Sequence, residues 1–117
     1  MQIQISTGHN SEGHKGLAAE ISDIVESALA RFSDHIARVE VHLRDENSDK
    51  KVGHDAMRCM MEARLEGRQP IAVTHHAATL GEAASGAADK LAGMIESMLG
   101  KLREQQSQRT DPDPSLT

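Results

Sequence analysis

The sequence predicts an α+β domain in which four strands form one mixed sheet and two helices cover one face of it. Apolar residues at every second position occur in four short runs, the pattern of half-buried strands. Apolar residues at three- and four-residue steps occur in two longer runs, the pattern of amphipathic helices. The runs follow one another in the order β-α-β-β-β-α, which predicts a two-layer sandwich.

The composition restricts the class of protein. A chain of 117 residues can form one domain with a single core. No run of about 18 apolar residues is present, so we expect no membrane span, and the first residues lack the pattern of a signal segment. The single cysteine, Cys59, excludes an intrachain disulfide, and a cytoplasmic location is expected. Phe32 stands without Trp or Tyr, which excludes an aromatic base-stacking platform.

The first two predicted elements are a short strand and a helix. Residues 2–6 alternate, with Ile3 and Ile5 facing inward. Residues 7–14 contain two glycines and are predicted to form a loop. A helix of about four to five turns begins at Lys15 and ends near residues 33–35. Its apolar stripe consists of Leu17, Ile21, Ile24, Val25, Ala28, Leu29 and Phe32.

Three more strands are predicted, and the last two form a hairpin. In residues 37–45 the inward positions are Val39, Val41 and Leu43, and the outward positions are Arg38, Glu40, His42 and Arg44. A polar loop at residues 46–54 separates this strand from the hairpin. The inward row of the hairpin is Met57, Cys59, Met61, Ala63 and Leu65, followed by Ile71, Val73, His75 and Ala77. Gly67 and Pro70 predict the turn between its strands, because glycine tolerates positive φ and proline cannot donate to a strand ladder.

The second helix is predicted at residues 80–104. Thr79 and Glu82 have the spacing of a capping box at its start. Its apolar stripe consists of Ala84, Ala87, Ala88, Leu91, Ile95, Met98, Leu99 and Leu102. We assign residues 1–104 to one domain and residues 105–117 to a disordered polar tail.

The order of the elements predicts their arrangement. A right-handed crossover through the first helix makes the first two strands parallel. Both helices then lie on one face of the sheet, and the other face, which carries the charged rows, remains in solvent.

Several short segments, taken in order, resemble one known family. They are residues 1–5 (Met-Gln-Ile-Gln-Ile), 29–32 (Leu-Ala-Arg-Phe), 39–43 (Val-Glu-Val-His-Leu), 58–70 and 88–91 (Ala-Asp-Lys-Leu). Together they resemble the ribosome hibernation-promoting factor and ribosome-associated inhibitor family, also labelled sigma-54 modulation proteins. The resemblance covers about residues 1–104, and the chain resembles a short, divergent member of the family.

The resemblance implies a non-enzymatic factor without a cofactor, a small-molecule substrate or a membrane partner. Such a factor docks in the small ribosomal subunit, occupies the channel used by messenger and transfer RNA, and silences translation in stationary phase or stress. The implied fold is also like a double-stranded RNA-binding domain. The C-terminal dimerisation domain of long members is expected to be absent, because only about a dozen residues follow the matching region.

The sequence departs from the family where the family is basic. Typical members repeat Lys or Arg along helix two, at places that are here Ala92, Gly93, Glu96 and Ser97. The net charge of −5 also indicates a surface less basic than is typical of the family. Because each lost phosphate contact weakens nucleic-acid binding, we expect weaker binding or binding through another surface.

The candidate RNA-binding residues are the outward cations of the sheet, the cations of two loops and the remaining cations of helix two. They are Arg38, Arg44, Lys50, Lys51, Arg58, Arg64, Arg68, His42, His76, Lys90, Lys101 and Arg103. The alternative interpretation of the sheet arginines, with Glu40 and Glu62, is a charge ladder that keeps an open face soluble. Lys101 and Arg103 are also explained by the negative end of the helix dipole.

The sequence contains no coherent catalytic or metal-binding set. Adjacent His75 and His76 face opposite sides of a strand and so cannot chelate one ion together, and Cys59 has no partner base. Two functions therefore compete: a translation silencer bound to the small subunit and its rRNA, and a protein-interaction module on the same fold, such as a transcription-factor modulator. A metal-dependent enzyme has the least support.

Overall fold

The computed structural model confirms the predicted order of elements. It describes the backbone of residues 1–7, 15–45 and 57–110; the loops predicted at residues 7–14 and 46–54 and the last seven tail residues lie largely or wholly outside this part. The strands are β1 (Gln2–Thr7), β2 (Ile36–Asp45), β3 (Met57–Leu65) and β4 (Ile71–Ala77). The helices are α1 (Lys15–Leu29) and α2 (Leu80–Thr110), with a 3-10 segment at Ala30–His35.

The strands lie in one mixed sheet in the order β1-β2-β3-β4. β1 is parallel to β2, as the crossover through α1 requires, and the other two pairs are antiparallel. Ile5, Val41, Met61 and Val73 are in register across all four strands and form one inward row. The period-two pattern therefore predicted both the strands and the face of the sheet on which each side chain lies.

The core lies between this inward face and the two helices. Val39, Val41 and Met61 of the sheet are fully buried, as are Ile21 of α1 and Leu91 of α2. Buried alanines let α2 approach the sheet closely; they are Ala83, Ala84, Ala87, Ala88 and Ala92. Both helices therefore cover one face and leave the other in solvent, as predicted.

The first helix ends in a tighter turn than its pattern indicates. After Leu29 the chain continues as the 3-10 segment, whose Phe32 is buried. The Arg31 guanidinium lies 4.6 Å from the centre of the Phe32 ring and its Nη2 is 2.9 Å from Oε1 of Glu96 on α2. Tightening to i→i+3 bonding is common at a helix end.

The second helix begins as predicted but ends later. The Glu82 N–H donates to Oγ1 of Thr79 at 3.1 Å, so Thr79 is the N-cap. The helix continues to Thr110, past the predicted end at residue 104, and the predicted tail is therefore helical over residues 105–110. Gln and Arg in this stretch are good helix formers, and the first breaker along the chain is Pro112.

Two glycines have backbone roles that other residues cannot fill as easily. Gly67 adopts φ of 71° in the turn between β3 and β4, in the left-handed region that favours glycine. Gly86 lies where α2 crosses β4, and a Cβ built there would overlap the imidazole ring of His75. The ring therefore packs directly against the backbone of the helix.

Candidate nucleic-acid interface

The solvent face of the sheet carries the outward residues of all four strands in register. Residues that pair directly across neighbouring strands lie on the same face. Arg38 pairs with Arg64, and Glu40 pairs with Glu62. Farther along the same two strands, His42 pairs with Met60 and Arg44 pairs with Arg58. We call this surface the open face; it includes His76, which pairs with Arg58 from β4.

Glu40 lies at the centre of the ion pairs on the open face. Its Oε2 is 2.6 Å from Nη2 of Arg38 and 3.9 Å from Nε of Arg64, and its Oε1 is 3.6 Å from Nε2 of His42. The Nε of Arg38 is buried without a hydrogen-bond partner. One carboxylate therefore offsets the charge of two arginines at this end of the face, as the charge-ladder interpretation requires.

The other end of the open face is different. Arg44 and Arg58 are direct cross-strand partners, and within the described parts of the chain no carboxylate forms an ion pair with either of them. Arg44 is exposed and Arg58 is half-buried. Two positive side chains thus lie side by side, next to His76, where neighbouring strands are about 4.8 Å apart.

The remaining candidate residues do not join this surface. Lys90 on α2 donates from Nζ to the backbone carbonyl of Thr74 at 3.1 Å, so its ammonium lies at the β4 edge of the sheet. Lys101 is exposed on α2, and Arg103 follows on the same helix, where only its backbone is described. Arg68 lies beyond Gly67 in the turn, beside a cavity of about 470 Å³. Lys50 and Lys51 lie outside the described residues.

The helix layer carries a feature that the sequence did not reveal. A groove of about 550 Å³ runs between α1 and α2, and three carboxylates line it: Glu20, Asp23 and Asp89. Ile24 and Ala28 form part of its floor. The sequence indicated that α2 lacks the family's basic residues. The three carboxylates come from two helices far apart in the chain, and only packing brings them together. Among the described residues, this surface is acidic and the open face is basic.

The Cys59 thiol is not a reactive centre. Cys59 is fully buried on the inward face, and burial raises its pKa from 9.0 to about 11, while the charge of Arg58 opposes part of that rise. At neutral pH the thiol is therefore protonated and inert, as predicted from its inward position. His75 and His76 lie on opposite faces, and the described residues contain no group of three His, Cys, Asp or Glu side chains that could hold a metal ion.

The molecule is a two-layer α+β domain with outward arginines on its sheet and a groove lined by three carboxylates between its helices. Within the described residues, no helix is long and apolar enough to cross a membrane.

The chain belongs to the family described as sigma 54 modulation protein / S30EA ribosomal protein, which matches residues 5–103. The resemblance predicted from the short segments is thereby confirmed. A search of curated proteins gives no match.

Two solved structures are similar in fold. The crystal structure of the Thermus thermophilus Protein Y N-terminal domain aligns with a TM-score of 0.65 and 20% identity, over 84% of this chain and 99% of that one. A ribosomal subunit interface protein from Coxiella burnetii aligns with a TM-score of 0.62 and 13% identity, over 86% and 99% of the two chains. At such identities the similarity establishes the fold, and the predicted α+β sandwich is confirmed.

Proposed function

We propose that this protein is a ribosome-associated factor that binds the small ribosomal subunit through its rRNA and silences translation in stationary phase or stress. The observation that carries the proposal is the family match over residues 5–103. The similar structure from Coxiella burnetii is named a ribosomal subunit interface protein, which points to the same partner.

The open face is the surface that best fits rRNA. Arginine forks donate two hydrogen bonds to a phosphate and stay charged at every physiological pH. The groove between α1 and α2, by contrast, would place Glu20, Asp23 and Asp89 against phosphates and repel them. We therefore assign rRNA contact to the sheet side of the molecule, although family members typically have a basic helix two.

Co-sedimentation with ribosomes across a salt series tests this function. The protein is expected to migrate with the small subunit or intact ribosome from starved cells, and association should fall steeply as salt rises, because phosphate contacts release counterions. Purified protein should also lower the yield of a cell-free translation reaction. Protein that stays free at every salt concentration, while its circular dichroism shows a folded chain, would contradict the proposal.

The acidic groove favours a second candidate, a protein-interaction module on the same fold. A partner with a Lys- or Arg-rich surface would complement Glu20, Asp23 and Asp89 around the apolar floor. A transcription factor is one such partner by the family's older label. A specific protein partner that is captured without rRNA and is retained at high salt would support this candidate over the first.

A further inference from the structure

We propose that Arg44 and Arg58 form a phosphate-binding pair for the RNA backbone, and that they, rather than Arg38 and Arg64, are the main nucleic-acid contact of the open face. This inference rests on the proposed function for the class of ligand. It goes beyond that function by assigning the contact to two residues on adjacent strands.

The register of the sheet brings the two arginines together. Arg44 on β2 and Arg58 on β3 are paired directly, and both point away from the helices. Neighbouring strands lie about 4.8 Å apart, so two guanidinium forks can reach one phosphate or two successive phosphates. His76, the cross-strand partner of Arg58, extends the row to β4.

The charge is unequal along the open face. Glu40 holds Arg38 and Arg64 in ion pairs at 2.6 and 3.9 Å. Arg44 is four residues along the strand from Glu40, which corresponds to roughly 13 Å. That separation exceeds the Debye length of about 8 Å at physiological ionic strength. Glu40 therefore offsets the charge of Arg38 and Arg64 and has little effect on the charge of Arg44 and Arg58.

The pairing of Arg44 with Arg58 is unfavourable without a ligand. Like charges directly opposite each other on one face of a sheet destabilise it. At the Glu40 end the repulsion between the arginines is relieved from within the protein. At the Arg44 end, neither arginine is in an ion pair with another described residue, and a bound phosphate would relieve the repulsion.

Such a site would bind the phosphate backbone of RNA and not its bases. Around the pair, the open face presents His42, Met60, Thr74 and His76 without a Trp, Tyr or Phe on which bases could stack. Contacts of this kind position a protein on RNA but carry no sequence information. We therefore expect similar affinity for RNA of different sequences.

The test compares two double variants that remove the same charge from the same face. R44Q/R58Q removes the proposed pair, and R38Q/R64Q is the matched control, since each lowers the net charge by two. Binding of a fluorescein-labelled 16-nucleotide single-stranded RNA is measured by anisotropy from low to physiological salt. R44Q/R58Q is expected to bind about tenfold or more weakly and to flatten the log–log salt slope by about 1.4, as two lost contacts require. R38Q/R64Q is expected to lose less than about threefold, because its arginines are already paired.

A third variant separates the bidentate geometry of the guanidinium groups from their charge. It also provides a milder change in case R44Q/R58Q does not fold. R44K/R58K keeps both charges and loses the bidentate forks, so its affinity should lie between those of the wild type and R44Q/R58Q. Equal losses in the two glutamine variants, or a larger loss in R38Q/R64Q, would overturn the inference, as would the absence of any RNA binding by the wild-type protein at low salt.

Ribosome co-sedimentation of the same variants distinguishes failure of this inference from failure of the proposed function. If the wild type and both glutamine variants co-sediment equally, the phosphate pair is wrong and the ribosomal function stands. If the wild type does not co-sediment but binds RNA through Arg44 and Arg58, the pair stands and the ribosomal function is wrong.

Discussion

At the scale of single residues, Gly86 sets how closely α2 can approach the sheet. We predict that Gly86→Ala destabilises the protein by about 1–3 kcal/mol, because the new methyl group would overlap the His75 ring and force it out of place. Helix propensity alone predicts the opposite sign, a gain of up to about 1 kcal/mol. Urea unfolding measures the difference.

Gly93 supplies the matched control on the same helix. It is exposed, and nothing lies within 4 Å of a Cβ built there, so Gly93→Ala should stabilise the protein by up to about 1 kcal/mol. Removing the ring with His75→Ala should rescue Gly86→Ala. Equal stability of the two glycine variants would show that the imidazole does not pack against the helix.

Cys59 makes stability depend on pH in the alkaline range. Its pKa is raised to about 11 in the folded protein, whereas the unfolded thiol ionises near 9.0. Folding therefore favours the protonated form. The stabilisation is complete below pH 9 and is lost as the pH rises from 9 toward 11.

We expect the wild type to lose more stability than Cys59→Ala when unfolding is measured at pH 8 and again at pH 10.5. The absence of tyrosine removes one competing titration from this interval. A stability difference between the two proteins that stays constant with pH would contradict the assigned burial.

At the scale of elements, the start of α2 depends on its cap. Thr79→Ala should cost about 1 kcal/mol, because the Glu82 N–H loses the side-chain acceptor that it now has at 3.1 Å. Thr79→Ser keeps the hydroxyl and should be nearly neutral. Thermal unfolding of the three proteins checks this, and equal melting temperatures would mean that packing alone holds the first turn.

Lys90 on α2 makes a structural contact at the β4 edge of the sheet. Lys90 matches the family at residues 88–91 and was predicted to contact RNA. The structure has its ammonium bonded to the Thr74 carbonyl at the edge of the sheet. A lysine at this place also hinders pairing with another strand, so Lys90 has a structural explanation, and its contact with RNA remains a prediction.

At the scale of the whole molecule, the arginines of the open face and the carboxylates of the helix groove lie on different layers. We predict that E20Q/D23N/D89N changes ribosome association by less than about threefold at 0.15 M salt, because the core and the sheet separate the groove from the open face and salt screens charges over such a separation. Co-sedimentation measures the effect, with R44Q/R58Q as the comparison. A large gain in association would indicate that rRNA contacts the helix layer. A loss would indicate that the groove binds a basic protein surface on the ribosome.

Local pattern determined most of the architecture. Alternation of apolar residues predicted the four strands and their inward faces, because side-chain direction in a strand depends only on parity. The three- and four-residue steps predicted the helices for the same kind of reason, and Thr79 and Glu82 marked the start of α2. The end of α2 was predicted too early, since no strong local signal stops a polar helix before Pro112.

The sequence by itself therefore determined the fold, the inert thiol at Cys59 and the identity of the outward arginines. Only the tertiary structure decided which of these arginines are in ion pairs with a carboxylate. Glu40 offsets the charge of Arg64 across the strand boundary, and Asp89 joins Asp23 across the helix boundary. Coulomb interactions depend on distance in space, and register and packing bring together residues that are far apart in the chain. For that reason Arg44 and Arg58 stand out as a candidate site only in the folded protein.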